Sequence, residues 1–166
     1  MTLKKQIFIL TGKVHSGKTT GLIEWLHNKD NAAGIISPVI NSERQIFLYP
    51  DYEYIKLEAN ENSEKEILLC GKYKFFKDAF IKANNYFDSL DFENLDWVII
   101  DEAGLLELND EGLHDSMKKA AIKFLEEKTK FSLIIIVRDY LVEKIVDKYN
   151  LGKCVVLNKE DSKEII

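Results

Sequence analysis

The chain has 166 residues, 46% of them hydrophobic and 31% charged, with a formal net charge of −5. These values fit one globular domain spanning residues 1–166, large enough for a real core. The charge argues against a broad basic footprint for nucleic acid, and the longest apolar run, Leu133 to Val137, is far too short to cross a membrane.

Ile7-Phe8-Ile9-Leu10 is a continuous apolar run of strand type, suited to burial on both faces. It follows a Lys-Lys pair, but the long apolar region and small-residue cleavage site of a secretory leader are missing. The run leads into Gly12-Lys13-Val14-His15-Ser16-Gly17-Lys18-Thr19, which satisfies G-x-x-x-x-G-K-[ST] residue for residue. Thr20 continues into a segment whose Leu22, Ile23 and Leu26 recur at helical spacing. Strand, glycine-bracketed loop and helix are the context this pattern requires. Inward-pointing loop amides and the positive end of the helix dipole then favour an anion. Lys18 is placed to reach the β- and γ-phosphates of a nucleoside triphosphate, and the Thr19 hydroxyl to ligate magnesium.

Ala33 to Ile36 reads as a second short strand ending at Ser37-Pro38. Gln45 to Tyr49 and Tyr52 to Leu57 read as a strand pair turning at Pro50-Asp51. The polar stretch Ala59 to Glu66 reads as a mobile loop, and Ile67 to Phe76 as one or two more short strands. A helix is predicted over about Lys77 to Leu90, with Phe80, Ala83, Phe87 and Leu90 on one face. From there strand and helix alternate. Trp97 to Ile100, Phe131 to Val137 and Lys153 to Leu157 are strands. Leu113, Met117, Ala120, Ala121, Phe124 and Leu125 mark one intervening helix, and Leu141, Val142, Ile145, Val146 and Tyr149 the next. Such alternation predicts an α/β fold, a mainly parallel sheet flanked by helices. Residues of about 44–76 break the alternation and predict a small antiparallel extension. Cys70 and Cys154 lie far apart with no CxxC and no clustered histidines, which reads as two reduced thiols of a cytoplasmic protein. His27 and His114 read as ordinary surface or core histidines.

The second acidic signal is Asp101-Glu102, directly after Trp97-Val98-Ile99-Ile100. Ligands of parallel sheets sit beyond the carboxyl ends of the strands, the edge where the glycine loop also lies. Adjacent carboxylates repel and resist desolvation, so an active site is a good reason for them. Asp101 fits the acid that supports magnesium, and Glu102 a base that orients an attacking water. Arg138 ends the next apolar strand. It either meets the γ-phosphate as charge develops or pairs with Asp139 or another nearby acid.

Taken together, GKVHSGKTT, GIISPVI, the paired strands, DEAGLLEL and IIIVRDYL resemble the small P-loop nucleoside triphosphatases of the thermophilic and human cancer-related type. The resemblance covers most of the chain, and Asp101 to Leu108 is its most specific part. It implies a Rossmann-like P-loop NTPase fold of the class carrying a catalytic glutamate after the magnesium aspartate. It also implies Mg2+-dependent hydrolysis of ATP, GTP and similar triphosphates. Under it Lys18 and Thr19 bind phosphate and metal, Asp101 assists the metal, and Glu102 is catalytic. Gly104 and Glu107 match the motif, with Glu107 assigned no chemistry beyond bracing the loop. Val14 and His15 depart from the proline and glycine usual in that family. His15 would clash, cover the γ-phosphate or face solvent.

The leading expectation is therefore a hydrolase that binds its nucleotide through Gly12, Lys13, Val14, His15, Ser16, Gly17, Lys18, Thr19 and Thr20. Thr19 and Asp101 serve the metal; Glu102, Lys18 and Arg138 serve catalysis. A nucleoside or nucleotide kinase and a slowly hydrolysing binding switch are the alternatives. The sequence leaves base preference and oligomeric state open.

Overall fold

The computed structural model describes residues 4–12 and 17–162. Among these, strand β1 (Ile7–Leu10) is followed by helix α1 (Lys18–Leu26) and β2 (Ala32–Ile36). Three further strands follow: β3 (Val39–Ile40), β4 (Glu43–Tyr49) and β5 (Glu53–Lys56). The hairpin β6 (Ile67–Cys70) and β7 (Tyr73–Phe76) leads into α2 (Lys77–Asp88). Then come β8 (Trp97–Ala103), the short α3 (Leu105–Leu108), α4 (His114–Leu125), β9 (Ser132–Val137), α5 (Val142–Lys148), β10 (Cys154–Leu157) and α6 (Lys159–Ser162).

The main sheet runs β10-β1-β9-β8-β2-β4-β3, with β5 on β4. Its first five strands are mutually parallel, and β3, β4 and β5 pair antiparallel. The expected extension is thus real for β4 and β5, and β3 joins it from before its expected start. The hairpin β6–β7 instead forms a two-stranded sheet of its own. It is tied on by Phe76 N–H to Leu57 O (2.9 Å) and Ala59 N–H to Lys74 O (2.9 Å).

Continuous apolar strands fit here because successive side chains enter opposite faces of the sheet and both faces are covered. Ile9, Ile35, Val98, Ile100, Leu133 and Ile135 share one cluster with Phe80 and Phe87 of α2, Met117 of α4 and Ile145 of α5. Leu10, Ile36, Ile99, Ile134 and Ile136 meet Leu22 and Leu26 of α1 on the other face. The expected stripe on α4 is only partly met. Met117 and Ala120 are buried and Phe124 packs against the core, but Leu125 is 76% exposed, because it lies about 100° round the helix from Phe124. Among the described residues no helix is long and apolar enough to cross a membrane.

The connection after β1 carries the chain through α1 to β2 on one side, while β10 lies on the other side of β1. Such a reversal opens a crevice at the carboxyl ends of the strands. The strands ending at Leu10, Ile36, Ala103 and Val137 all end at this edge, with Asp101 two residues before the end of β8.

Close packing between β2 and β8 depends on one missing side chain. A Cβ on Gly34 would stand 2.2 Å from the backbone oxygen of Ile99, its register partner. Gly34→Ala is expected to cost about 1–3 kcal/mol, the usual penalty of overpacking. Urea denaturation of the variant measures it, and an unchanged midpoint would refute the close approach.

Candidate active site

Gly17 caps α1 in the left-handed region (φ 78°), where a side chain would be strained. It delivers Lys18, Thr19 and Thr20 as the first helical turn. Gly12 stands at the other end of the loop. Lys13, Val14, His15 and Ser16 lie outside the described residues, so the expectations placed on them are not addressed by the structure. The Lys18 ammonium donates to Gly12 O at 3.4 Å. Its burial lowers its pKa from the ordinary lysine value, opposed by the negative charges of Asp101 and Glu102.

Asp101 is only 1% exposed. Its Oδ2 accepts from the Thr19 hydroxyl at 2.8 Å and from the Ser37 N–H at 3.0 Å. Its Oδ1 is buried and, among the described residues, has no hydrogen-bond partner. Burial, and next the neighbouring Glu102, push its carboxyl up to about 7, against the two hydrogen bonds. A buried carboxylate oxygen with no donor is costly. A hydroxyl and a carboxylate are the hard oxygen donors that magnesium accepts, usually together with waters and substrate phosphates. Among the described residues no group of three or more His, Cys, Asp or Glu could hold a metal without such help. The residues present therefore fit a divalent cation that arrives with a phosphate.

In a regular strand Asp101 and Glu102 would point to opposite faces. Here β8 continues past them to Ala103, three residues beyond the expected end. Its register against β9 slips, with Ile100 opposite Ile135 and Ala103 opposite Val137. That is one extra residue on β8, a bulge, and bulges re-aim side chains beside active sites. Glu102 carries the distortion with φ 61°, a conformation costing a non-glycine residue about 1–3 kcal/mol. Both carboxylates consequently line one cavity of about 560 Å3 with Gly17, Lys18, Thr19, Thr20 and Arg138.

Arg44 was not foreseen. It is 6% exposed and pairs through Nη1 with Oε2 of Glu102. Its guanidinium also lies over the Tyr73 ring, 5.4 Å from the centroid. A signal was present in the sequence: Arg44 shares the strand parity of buried Ile46 and Leu48, which puts a charge on an inward face. Ser37 was read only as a strand end, yet its amide holds Asp101.

Arg138 lines the cavity half-buried. Among the described residues it forms no ion pair with Asp139 or any other acid, so the expected structural alternative is not met; Asp139 instead accepts from the Tyr140 N–H at 2.9 Å. Glu107, 3% exposed, braces the segment after the bulge. Its carboxylate accepts from Gly104 N–H at 2.7 Å and Leu113 N–H at 2.8 Å. Burial raises its pKa against those two bonds. His27 is exposed and His114 half-buried, its Nδ1 2.8 Å from the Tyr149 hydroxyl. Cys70 and Cys154 are free and half-buried.

The fold that carries these residues is similar to that of two solved structures. Over 97% of the chain it matches the crystal structure of THEP1 from the hyperthermophile Aquifex aeolicus. The TM-score is 0.71 at 18% identity, with 94% of that protein covered. It also matches the solution structure of a human cancer-related nucleoside triphosphatase over 97% of the chain and 93% of that protein, at a TM-score of 0.64 and 19% identity. The chain therefore has the fold of the small P-loop NTPases, as the residue-level resemblance implied. A comparison with protein-family models finds no match, nor does one with curated proteins.

The Asp101 carboxyl has a consequence for stability. Its pKa is about 7 in the fold against 3.8 ordinarily, so between these values the folded chain binds more protons than the unfolded chain. Stability then falls as pH rises through that window and levels off above it. Metal-free protein is expected to lose stability from pH 4 towards pH 7 with a component that Asp101→Asn removes. Urea titrations of both proteins across this range check it; identical pH slopes would contradict the assignment.

Proposed function

We propose that the chain is a magnesium-dependent nucleoside-triphosphate phosphohydrolase that cleaves the γ-phosphate of ATP- or GTP-type nucleotides. The observation that carries this reading is the joint Thr19–Asp101–Glu102: a hydroxyl bonded to a buried carboxylate with an orphan oxygen, and a second carboxylate turned into the same cavity by a bulge. The two structural neighbours add the fold, and one of them is a human cancer-related nucleoside triphosphatase.

The triphosphate tail lies on the amides at the start of α1, with the Lys18 ammonium against its β- and γ-oxygens. Thr19 and Asp101 would hold magnesium, which supplies charge neutralisation for the β- and γ-oxygens. Glu102 orients a water in line with the γ-phosphorus and accepts its proton. Arg44 retains Oε2 of Glu102, so the carboxylate acts from a fixed position while Oε1 faces the water. Arg138 stands where charge develops on the transferring phosphoryl group. Water attacks phosphorus, the bond to the bridging oxygen breaks, and nucleoside diphosphate and phosphate leave.

Two substitutions separate binding from turnover. Lys18→Ala is expected to abolish tight triphosphate binding. Glu102→Gln is expected to retain it and lower kcat by about 100-fold or more, the range for loss of a general base. Fluorescent-nucleotide titration and phosphate release with magnesium measure the two quantities. Turnover unchanged in Glu102→Gln would remove Glu102 from this role.

A further inference from the structure

The hairpin β6–β7 stands outside the main sheet, yet its tip reaches the active site. Cys70, Gly71, Lys72 and Tyr73 line the same cavity as Lys18, Asp101 and Glu102. Side chains alternate along β7. Lys74 is exposed, while Tyr73 is half-buried and Phe75 buried on the other face. The rings of Tyr73 and Phe75 stack, 5.8 Å apart at an interplanar angle of 4°. Phe75 in turn meets Phe80 of α2 edge-on at 6.0 Å. Tyr73 is thereby anchored to the helix layer through Phe75.

The guanidinium of Arg44 lies over this anchored ring, 5.4 Å from its centroid. The backbones are tied as well. Arg44 O accepts from Leu57 N–H and Glu58 N–H, both at 3.3 Å, and Leu57 O accepts from Phe76 N–H at 2.9 Å. One segment therefore sets the distance between Arg44 and β7. Burial opposes the Arg44 charge; Glu102 and then Tyr73 offset it, and its pKa lies above the ordinary arginine value. The bond from Nη1 to Glu102 fixes one corner of the guanidinium and leaves its plane free to turn. An aromatic face restricts that plane, because a guanidinium stacks on rings and is drawn to their π-electrons. Glu102 depends on such restraint. Its backbone is left-handed at φ 61°, and its side chain is 36% exposed.

We propose that Tyr73 is a positioning residue of the hydrolytic centre: its ring orients Arg44, and Arg44 holds the Glu102 carboxylate in the place from which it directs water. The proposal rests on the reading above that Glu102 orients the attacking water. Tyr73 acts only through Arg44. Loss of its ring slows turnover and leaves nucleotide binding by Lys18 and Thr19 as it was.

The test uses the full chain and the variants Tyr73→Leu, Tyr73→Phe, Arg44→Met and the double variant Tyr73→Leu/Arg44→Met. The chain has two arginines, Arg44 and Arg138, so its guanidinium Nε–H spectrum has two signals, and Arg44→Met identifies the one it removes. Tyr73→Leu is expected to move the Arg44 signal and to lower kcat about tenfold through misplacement of the water. Affinity for a non-hydrolysable triphosphate should stay within about twofold. Tyr73→Phe keeps the ring and should keep kcat within about threefold of wild type. Arg44→Met should lower kcat, and adding Tyr73→Leu should lower it no further, since the route to Glu102 is already gone. If Tyr73→Leu does not fold, Tyr73→Met, of similar volume and without a ring, takes its place. An unmoved Arg44 signal, an unchanged kcat, an equal loss of kcat and affinity, or the same fold loss with and without Arg44 overturns the role of Tyr73 and leaves the hydrolase intact. A wild type that binds the triphosphate and releases no phosphate overturns both.

Discussion

A carboxylate buried at the end of a strand with one oxygen unsatisfied is the constraint on which this structure depends. Asp101 draws a hydroxyl from α1 and an amide from the end of β2 onto a single oxygen. Those two bonds tie the phosphate-loop helix, the second strand and the acidic strand into one unit. Among the described residues the other oxygen has no partner. Isolated buried charge is among the costliest features a fold can hold, and it is relieved by protonation or by a cation. The raised pKa of Asp101 is the first of these outcomes, and the proposed function supplies the second.

The surroundings are built to keep this centre from relaxing. A one-residue bulge in β8 turns Glu102 into the cavity at the expense of a left-handed backbone. The bulge is fixed on both sides. Arg44, buried on β4, holds the Glu102 carboxylate. Glu107, just beyond, ties down the amides of Gly104 and Leu113. Removing Arg44 would leave Glu102 unpaired at a strained position; removing Glu107 would leave two amides without acceptors. Backbone strain of this kind is retained where the rest of the structure over-determines it.

Much of this was legible in the sequence, for definite reasons. Strands buried on both faces read as unbroken apolar runs, so β1, β8 and β9 could be located from Ile7, Trp97 and Phe131 onward. The start of α1 could be located from Gly17 onward because the glycine loop follows a fixed spacing between strand and helix. The bulge was not legible: Asp101 and Glu102 are the same two letters in a regular strand or an irregular one. Arg44 was missed because its partner lies 58 positions away across an antiparallel extension that local patterning cannot orient. The hairpin β6–β7 was placed in the extension because adjacency in sequence does not reveal which strands share a sheet. Leu125 was counted into a stripe because its apolar character alone does not show that it lies off the buried face on which Phe124 sits.

The most direct test of the account is the affinity of Mn2+, as a paramagnetic stand-in for magnesium, in the presence of a non-hydrolysable triphosphate. Electron paramagnetic resonance titration of the wild type should show a bound ion that requires the nucleotide. Asp101→Asn should weaken that ion about 10–100-fold, the usual range for loss of a group supporting a metal site. Equal affinity in the two proteins would contradict the claim that the buried carboxylate exists to receive a cation.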